Sequence, residues 1–335
     1  MENILKLLVN SVEEAFVGRM DVEVSVQAVK KNNDVTLTGI MVRDKSMNIA
    51  PTVYVDDFLS AIENGEMEVD EAARKVVGAI EGGMPRHEVN IDWFTKWETV
   101  RDAVQFRLVN AKKNEQRLAD MPHRAVLDMQ LIYYCSFEDP QIGMGSITVH
   151  DSHVKQWGVT EEELYEAAVT NTRRISHVHV MPVIKVMMEM MMGTSSREKA
   201  DADSFDLDFR TAPTMFGETE GLPMLVVTNG SRIQGACGIL YADVCGKISD
   251  ALGGDFFILP SSVHETIVLG NAGGRGADLL DMVKEVNATQ IDPQEVLSDG
   301  VYYYDAKGGT IREYGDEVGK FEPLCNEAAA AEVGA

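Results

Sequence analysis

Residues 256–269 read Phe-Phe-Ile-Leu-Pro-Ser-Ser-Val-His-Glu-Thr-Ile-Val-Leu, and this stretch carries the clearest fold signal in the chain. Two apolar runs enclose a polar centre. Short apolar runs bounded by turn residues are typical of buried strands, and the Pro-Ser-Ser at 260–262 favours a turn. The stretch therefore predicts strands over 256–259 and 266–269, joined as a hairpin.

The chain around this hairpin alternates between strand and helix patterns. Asn229-Gly230 is the strongest two-residue turn signal in the sequence, and Asp292-Pro293 suits the first positions of a helix. Other strands are predicted at 224–228, 233–241, 301–304 and 310–314, and helices at 242–252 and 277–287. These elements predict a mixed α/β module over residues 222–325. The Ala- and Glu-rich residues 326–335 predict a flexible tail.

The first 84 residues predict a separate helix–sheet module. An amphipathic helix is expected over 2–17. Alternating apolar residues then predict strands, with a turn at Lys31-Asn32-Asn33-Asp34. The predicted strands cover 22–28, 35–42 and 51–55, and two helices follow them. The Gly82-Gly83-Met84-Pro85 break marks the end of this module.

Residues 91–195 predict a middle helix and hairpin segment. Large apolar residues spaced by three or four predict a long helix over 92–119. They are Trp93, Trp97, Val100, Val104 and Leu108. A strand hairpin is expected over 125–137 and 142–149, and Thr160 begins a capping box with Glu163. The whole chain thus predicts an α+β fold.

Two features of the middle segment leave alternatives open. The bases on the predicted long helix suit either a solvated face or an anion-binding face. They are Lys96, Arg101, Lys112 and Lys113. The methionine-rich run 187–192 fits either a core helix or a docking surface, because methionine adapts to irregular partners.

The charge balance narrows the classes of partner. The chain has 54 Asp and Glu against 30 Lys and Arg, which gives a formal net charge of −24 at pH 7. A field of this sign repels nucleic acid and anionic membranes, so neither is expected as a partner. The acids favour solubility, or they suit a decoy that captures a basic protein.

The expected location is a reducing cytoplasm. No Cys-x-x-Cys pair, signal peptide or apolar run of about 18 residues is visible in the sequence.

The polar centre of the opening stretch holds the candidate site. Ser262, His264 and Glu265 supply the residue types of a hydrolase: a nucleophile, a base and an acid. No Gly-x-Ser-x-Gly elbow exposes the serine. The alternative is a structural turn whose hydroxyls and imidazole bind backbone groups. Ser261, Ser262 and His264 are also candidates for binding a small polar ligand.

Other constellations are weaker. His150 and His153, three residues apart, are the candidates for a metal site, but no Cys-rich or His-Glu-x-x-His pattern accompanies them. Cys237 lies in a small apolar segment, which favours a buried, unreactive thiol over a Cys–His pair with His264. The glycine-rich residues 270–276 lack the lysine of a phosphate loop. The sequence indicates no cofactor.

An ordered set of motifs resembles one bacterial family. The motifs are Thr38-Gly39-Ile40, Ile49 to Tyr54, His150-Asp151-Ser152-His153, Trp157 to Leu164, Gly235 to Tyr241, Leu259 to Glu265 and Leu297 to Asp305. In this order they resemble an uncharacterised domain-of-unknown-function family of the DUF5688 type. The resemblance covers nearly the whole chain. It implies a protein common in gut anaerobes and their mobile elements, and it brings no catalytic residues with it.

These observations favour a cytoplasmic, acidic, non-catalytic binding or regulatory protein, linked through the family to mobile elements. Its partner would be a protein or a small molecule of unknown identity. The alternatives are a hydrolase that uses Ser262, His264 and Glu265, and an acidic decoy or inhibitor of a basic host protein. Whether the protein is an enzyme stays open, with the missing catalytic patterns favouring a binding role.

Overall fold

The computed structural model describes residues 1–18, 21–193, 202–207, 224–260, 262–270, 276–315 and 319–325. The chain divides into two compact units, one of residues 1–95 with 136–146 and one of residues 96–135 with 147–335. The predicted α+β class is confirmed. The three-segment division stays a prediction, and the predicted tail 326–335 lies outside the described residues.

The first unit is a three-stranded antiparallel sheet packed against helices. Its elements are α1 (Glu2–Phe16), β1 (Val22–Lys30), β2 (Thr36–Asp44), β3 (Thr52–Tyr54), α2 (Asp56–Glu63) and α3 (Val69–Gly83). The apolar stripe of α1 places Leu8 and Val12 in a core with Ile40 of β2 and Ile80 of α3, all fully buried. Helix and strand periodicity predicted its helices and strands, because each element buries one face only.

The second unit holds most of the remaining elements. They are α4 (Trp97–Val100), β4 (Val104–Asn110), α5 (Glu115–Leu118), β5 (His123–Val126), β6 (Met129–Asp139), β7 (Gly143–Thr148), α6 (Asp151–Trp157), α7 (Glu161–Ser176), β8 (Val178–Pro182), α8 (Val183–Met191), β9 (Ser204–Phe205), β10 (Met224–Asn229), α9 (Ala242–Leu252), β11 (Phe256–Leu259), β12 (Thr266–Gly270), α10 (Gly276–Thr289), β13 (Tyr302–Asp305), β14 (Thr310–Glu313) and β15 (Lys320–Phe321). The outer parts of β6 and β7 belong to the first unit.

Two sheets organise these elements. A four-stranded sheet has the order β4-β6-β5, with β7 paired to β6. An eight-stranded sheet has the order β15-β14-β13-β11-β12-β10-β8-β9, and its pairs are antiparallel except for β8 with β9. The predicted hairpin is confirmed as β11 and β12, with Phe256 opposite Gly270 and Leu259 opposite Ile267. Among the described residues, no helix is both long and apolar enough to cross a bilayer.

Helix α7 begins with the capping box that its sequence predicts. The hydroxyl of Thr160 accepts a hydrogen bond from the amide of Glu163, and the Glu163 carboxylate accepts one from the amide of Thr160. This capping box satisfies amides that the first helical turn leaves free. Farther along, Thr172 accepts a hydrogen bond from the amide of Phe106 at 2.9 Å. Helix α7 thereby covers backbone groups of the edge strand β4.

The predicted long helix over 92–119 is wrong. Only short helical turns precede Val104, and residues 104–110 form strand β4, which pairs with β6. Val100, Val104 and Leu108 are spaced by four, and a spacing of four keeps residues on one face of a helix and also on one face of a strand. The strand prevails because it buries almost every residue from Val104 to Asn110.

Two smaller predictions at the C-terminal end are also wrong. Residues 235–240 form a buried 3-10 helix instead of a strand. Because Gly235 and Gly238 have no side chains, this 3-10 helix packs closely against β8 and β10. The residues after Asp292 form a turn instead of a helix. The side chain of Asp292 accepts a hydrogen bond from the amide of Gln294, as at a helix start. The carbonyl of Glu295, however, accepts its hydrogen bond from the amide of Val263 in a distant segment and not from a following helical turn.

Candidate functional site

The loop between β11 and β12 carries the candidate residues, and the hydroxyl of Ser262 makes a hydrogen bond within this loop. Oγ of Ser262 accepts a hydrogen bond from the backbone amide of His264 at 3.0 Å. The amide of Ser262 in turn donates to the carbonyl of Glu265 at 3.2 Å. Ser262 is 6% exposed. The structure thus places Ser262 as a turn-closing residue, while Ser261 lies outside the described residues.

The imidazole of His264 lies between two other chain segments. Its Nδ1 accepts a hydrogen bond from the amide of Gln234 at 3.1 Å. Its Nε2 is 3.2 Å from Oε1 of Glu295. Because a backbone amide can only donate, Nε2 carries the proton and donates to the carboxylate. Both ring nitrogens therefore bind groups other than Ser262, and the serine–histidine contact that a hydrolase needs is not formed.

The backbone of the same loop is held just as closely. The carbonyl of His264 accepts hydrogen bonds from the amide of Gly235 at 3.0 Å and from Oγ1 of Thr228 at 2.8 Å. The amide of Val263 donates to the carbonyl of Glu295 at 2.8 Å. The loop therefore fastens three segments together: the end of β10, the 3-10 helix over 235–240, and the turn after Asp292. We call this arrangement the His264 clasp.

Glu265 is the third member of the predicted trio and faces a different environment. Burial raises the pKa of its carboxyl, the nearby His264 and Arg232 oppose that rise, and Glu295 adds to it. Arg232 is itself paired with Glu189 of α8 and lies 3.8 Å from Sδ of Met181. A partly buried carboxyl of raised pKa can act as an acid. The described residues around it supply no activated nucleophile.

Cys237 does not pair with His264. Its thiol lies 3.5 Å from the carbonyl of Gln234, the same residue whose amide binds the imidazole. Burial raises the pKa of Cys237 to about 12, which keeps the thiol protonated and unreactive. All four cysteines are free; Cys135 and Cys245 are also buried, and Cys325 is exposed.

The two candidate metal ligands lie at the start of α6. Nδ1 of His153 accepts a hydrogen bond from the amide of His150 at 3.0 Å, and Nδ1 of His150 is 3.1 Å from Asp120. The His153 ring stacks on Trp157, with 5.9 Å between ring centroids. These contacts give both rings a structural role. In the described part of the chain, no group of three or more His, Cys, Asp or Glu side chains could hold a metal ion.

Helix α8 presents the methionine-rich run to solvent. Met187, Met190 and Met191 are 47%, 64% and 74% exposed, and Met192 beyond the helix is 68% exposed. The opposite side of α8 is anchored: Val186 is buried against Met181 and Val226, and Glu189 binds Arg232. Residues spaced by three and four share one face of a helix. We call Met187, Met190 and Met191 the methionine face.

A groove of about 580 Å³ lies where β5 and β6 meet α5. Its polar lining consists of Lys112, Glu115, His123 and Gln130. Sequence reasoning missed this groove, because it assigned Lys112 to the face of a long helix. The one signal available was Gln130, a polar residue directly before the apolar run Leu131 to Cys135 of β6. Residues 271–275 of the glycine-rich segment lie outside the described residues.

Comparison with known proteins agrees with the resemblance seen in the motifs. A family model described as a family of unknown function (DUF5688) matches residues 1–306. No curated protein and no solved structure matches the chain at a significant level. The description of this family names no activity.

Proposed function

We propose that this chain, which belongs to the DUF5688 family of unknown function, is a binding protein that docks a basic amphipathic helix of a partner protein on its methionine face. The exposure of Met187, Met190 and Met191 on a single helix carries this proposal. Exposed apolar side chains clustered on one face are typical of interaction sites, whereas single ones are common on any surface.

The chemistry of methionine suits such a face. Its side chain is unbranched and polarizable, so it adapts to partners of different shape. An amphipathic helix would set its own apolar residues, spaced by three and four, against the three methionines. The anchored side of α8 supports this binding mode, because Val186 and the Glu189–Arg232 ion pair hold the helix in place while its outer face stays exposed.

The charge of the chain decides between classes of partner. With a net charge of −24, a second copy of the chain is repelled at long range, and a basic segment is attracted. Charge complementarity of this kind speeds association and excludes acidic competitors. The proposed partner is therefore a basic protein, which keeps both the regulatory role and the decoy role open to this chain.

Two further observations support a non-catalytic, cytoplasmic role. The His264 clasp occupies both ring nitrogens of the best base candidate, so the alternative hydrolase would need this loop to rearrange. The four cysteines are all free, as is usual in a reducing compartment.

The test measures binding of the full chain to a synthetic amphipathic peptide of leucine and lysine, about 18 residues or five helical turns long. Fluorescence anisotropy is recorded with the wild type and with the double variant Met187→Gln, Met190→Gln. We expect the double variant to bind about ten-fold more weakly, because two apolar contacts are lost. Affinity should also fall as salt is raised, because charge attraction is screened.

The matched control is the double variant Met144→Gln, Met282→Gln, which changes two exposed methionines outside α8. It should bind as the wild type does. The proposal fails if the peptide does not bind, or if both double variants lose affinity equally. Sedimentation of the free chain is the second readout: self-association that disappears in Met187→Gln, Met190→Gln would identify a second copy as the occupant and overturn the basic partner.

A further inference from the structure

Strand β1 is a long strand at the edge of its sheet. It covers nine residues, Val22–Lys30, and the strand order of the sheet ends at β1. Strands in globular proteins are usually about five or six residues long. In the described part of the chain, no strand pairs with the outer side of β1. Such an edge presents backbone groups that can pair with a further strand.

The register of β1 and β2 shows which residues direct their backbone groups to the open edge. The amide of Lys31 donates to the carbonyl of Val35 at 2.7 Å, and the amide of Lys45 donates to the carbonyl of Asp21 at 3.4 Å. Both are hydrogen-bonded pairs that continue the register of the two strands. Such pairs recur at every second residue of an antiparallel ladder. The even-numbered residues from 22 to 28 therefore point their N–H and C=O groups away from β2.

The other sheet edges are short or covered. The eight-stranded sheet ends in β9 and β15, each of two residues, and the far edge of the first sheet is β3, with three residues. Edge strand β4 is covered by α7. Short edges, covering elements, prolines and charges all prevent unwanted strand addition. Strand β1 is long, has no proline, and carries no charge from Val24 to Val29.

An apolar side chain at the middle of β1 is left uncovered. Val24 and Val26 lie on the face that packs against the helices, because they are opposite Val42 and Ile40, which are both fully buried. Val24 packs against this core. Val26, however, is 43% exposed, and Ala28 beyond it is exposed as well. The apolar side of the sheet therefore extends beyond the part that the helices of the unit cover.

We infer that β1 pairs with β1 of a second copy of this chain, as antiparallel strands related by a two-fold axis. Val26 is the middle residue of β1, so an axis at Val26 pairs all nine residues of both strands. Val24 then lies opposite Ala28 of the second copy, and the outward backbone groups of each strand bind those of the other. An axis perpendicular to the sheet keeps the helices of both copies on one side. The two three-stranded sheets become one continuous sheet, and Val26 packs against its own counterpart.

The charges along β1 favour a second copy as the occupant. The charged residues of the strand are Glu23 near its beginning and Lys30 at its end, and Lys31 follows. Antiparallel pairing brings the negative end of one copy beside the positive end of the other. The two Glu23 side chains lie six residues apart, about 20 Å, and each is diagonal to Lys31 of the second copy, within reach of a long side chain. The strand is thus complementary to itself in this orientation.

The net charge of −24 opposes the approach of two copies at long range. Salt screens this repulsion over about 8 Å at physiological ionic strength, and the middle of the paired strands carries no charge. Dimerisation should therefore strengthen as salt is raised. Binding of the basic peptide to the methionine face should weaken instead, so the two proposals can fail independently.

The experiment is sedimentation equilibrium of the full chain at about 0.05 M and about 0.5 M sodium chloride. We expect a reversible dimer with twice the mass of one chain and a dissociation constant that is several-fold lower at the higher salt. The double variant Met187→Gln, Met190→Gln should dimerise as the wild type does. A chain that stays monomeric in both salts overturns the inference.

Two variants test whether β1 forms the contact. Val26→Lys places two ammonium groups opposite each other at the axis, where like charges repel. Ala28→Pro removes an N–H that points away from β2, so no hydrogen bond within the sheet is lost, and proline is tolerated at such edge positions. Each should raise the dissociation constant about ten-fold or more. Urea midpoints identify any variant that fails to fold, and the two substitutions act through different groups.

The matched control is Val17→Lys, which makes the same substitution at a residue of the first unit that is 75% exposed and lies outside β1. It should dimerise as the wild type does. A dimer that folded Val26→Lys and Ala28→Pro leave intact, or that Val17→Lys weakens to the same extent, would place the contact elsewhere and overturn the inference.

Discussion

Nδ1 of His264 accepts a hydrogen bond from the backbone amide of Gln234, at 3.1 Å. This contact joins the loop after β11 to the segment after β10, and the Nε2 contact with Glu295 joins a third segment. A histidine that looked catalytic by residue type is thereby the centre of a structural clasp. Its function is to connect chain segments that are about 30 residues apart in sequence.

His264→Ala should therefore destabilise the fold instead of abolishing a reaction. The variant leaves the amide of Gln234 without its acceptor and Glu295 without its donor, so we expect a loss of about 1–3 kcal/mol in the free energy of unfolding. Urea denaturation measures the loss. His87→Ala, at an exposed histidine of the first unit, should change the midpoint very little.

The variants Ser262→Ala and His264→Ala distinguish a structural role of the clasp from a hydrolase activity. A fluorophosphonate probe labels serine nucleophiles covalently, and we expect no labelling of the wild type that depends on Ser262. Labelling that disappears in both Ser262→Ala and His264→Ala, while the folded fraction is unchanged, would show a catalytic pair and contradict the structural role.

Glu265 gives a prediction about pH. Burial raises the pKa of its carboxyl above the value in the unfolded chain, which penalises the charged form in the folded state. The folded protein binds the proton more tightly, so the penalty is absent at pH values below the unfolded pKa and grows as pH rises toward the folded pKa. Glu265→Gln should therefore be more stable than the wild type at pH 7 and equal to it near pH 4.

Urea midpoints across pH 4–8 test this difference. The control is Glu66→Gln, at an exposed carboxylate, whose midpoint should follow that of the wild type at every pH. A stability gain of Glu265→Gln that stays constant across the range would mean that shape or packing, and not the charge of the carboxyl, accounts for the effect.

Local periodicity predicted much of this fold, and it failed where two periods coincide. The β11–β12 hairpin was readable because both apolar runs are short and bounded by turn residues. Strand β4 was not, since Val100, Val104 and Leu108 fit a helix face and a strand face equally well. Only pairing with β6, some 20 residues downstream, decides between the two.

The candidate site shows the same limit in another form. The residue types of Ser262, His264 and Glu265 drew attention to this loop. The side-chain partners of His264, however, are Gln234 and Glu295, which lie elsewhere in the sequence. These partners are brought in by the topology of the sheet, which no local pattern encodes. The exposure of the methionine face depends likewise on which side of α8 packs on Met181 and Val226.

Gly235 should tolerate no side chain. A Cβ atom there would lie 2.5 Å from the amide nitrogen of Asn229 and 2.8 Å from the carbonyl oxygen of His264, and both are backbone atoms that cannot move aside. We expect Gly235→Ala to cost about 2 kcal/mol or more, since it opens the His264 clasp as well as creating overlap.

Gly246 provides the matched comparison for Gly235. It lies inside α9 with open space around the Cβ position. Gly246→Ala should stabilise the protein by about 0.5–1 kcal/mol, because alanine is the better helix former. Thermal unfolding of the two variants measures both effects. Equal midpoints for them would contradict the close approach at Gly235.

The last prediction concerns Arg107, whose buried charge contributes little to the stability of the fold. Its guanidinium donates a hydrogen bond to Oγ1 of Thr148 at 3.0 Å and lies 5.2 Å from the ring centre of Tyr134, and it pairs with no carboxylate among the described residues. Burial, with a contribution from Arg117, lowers the pKa of Arg107 to about 10.

The unfolded chain binds the proton of Arg107 more tightly than the folded chain does, so the cost of burying the charge is present in full at pH 7. Arg107→Met keeps the aliphatic stem and removes the charge, and we expect a gain of about 1–3 kcal/mol in urea denaturation. Arg86→Met, at an exposed arginine, should leave stability unchanged. A loss of stability in Arg107→Met would mean that the Thr148 and Tyr134 contacts outweigh the cost of burying the charge.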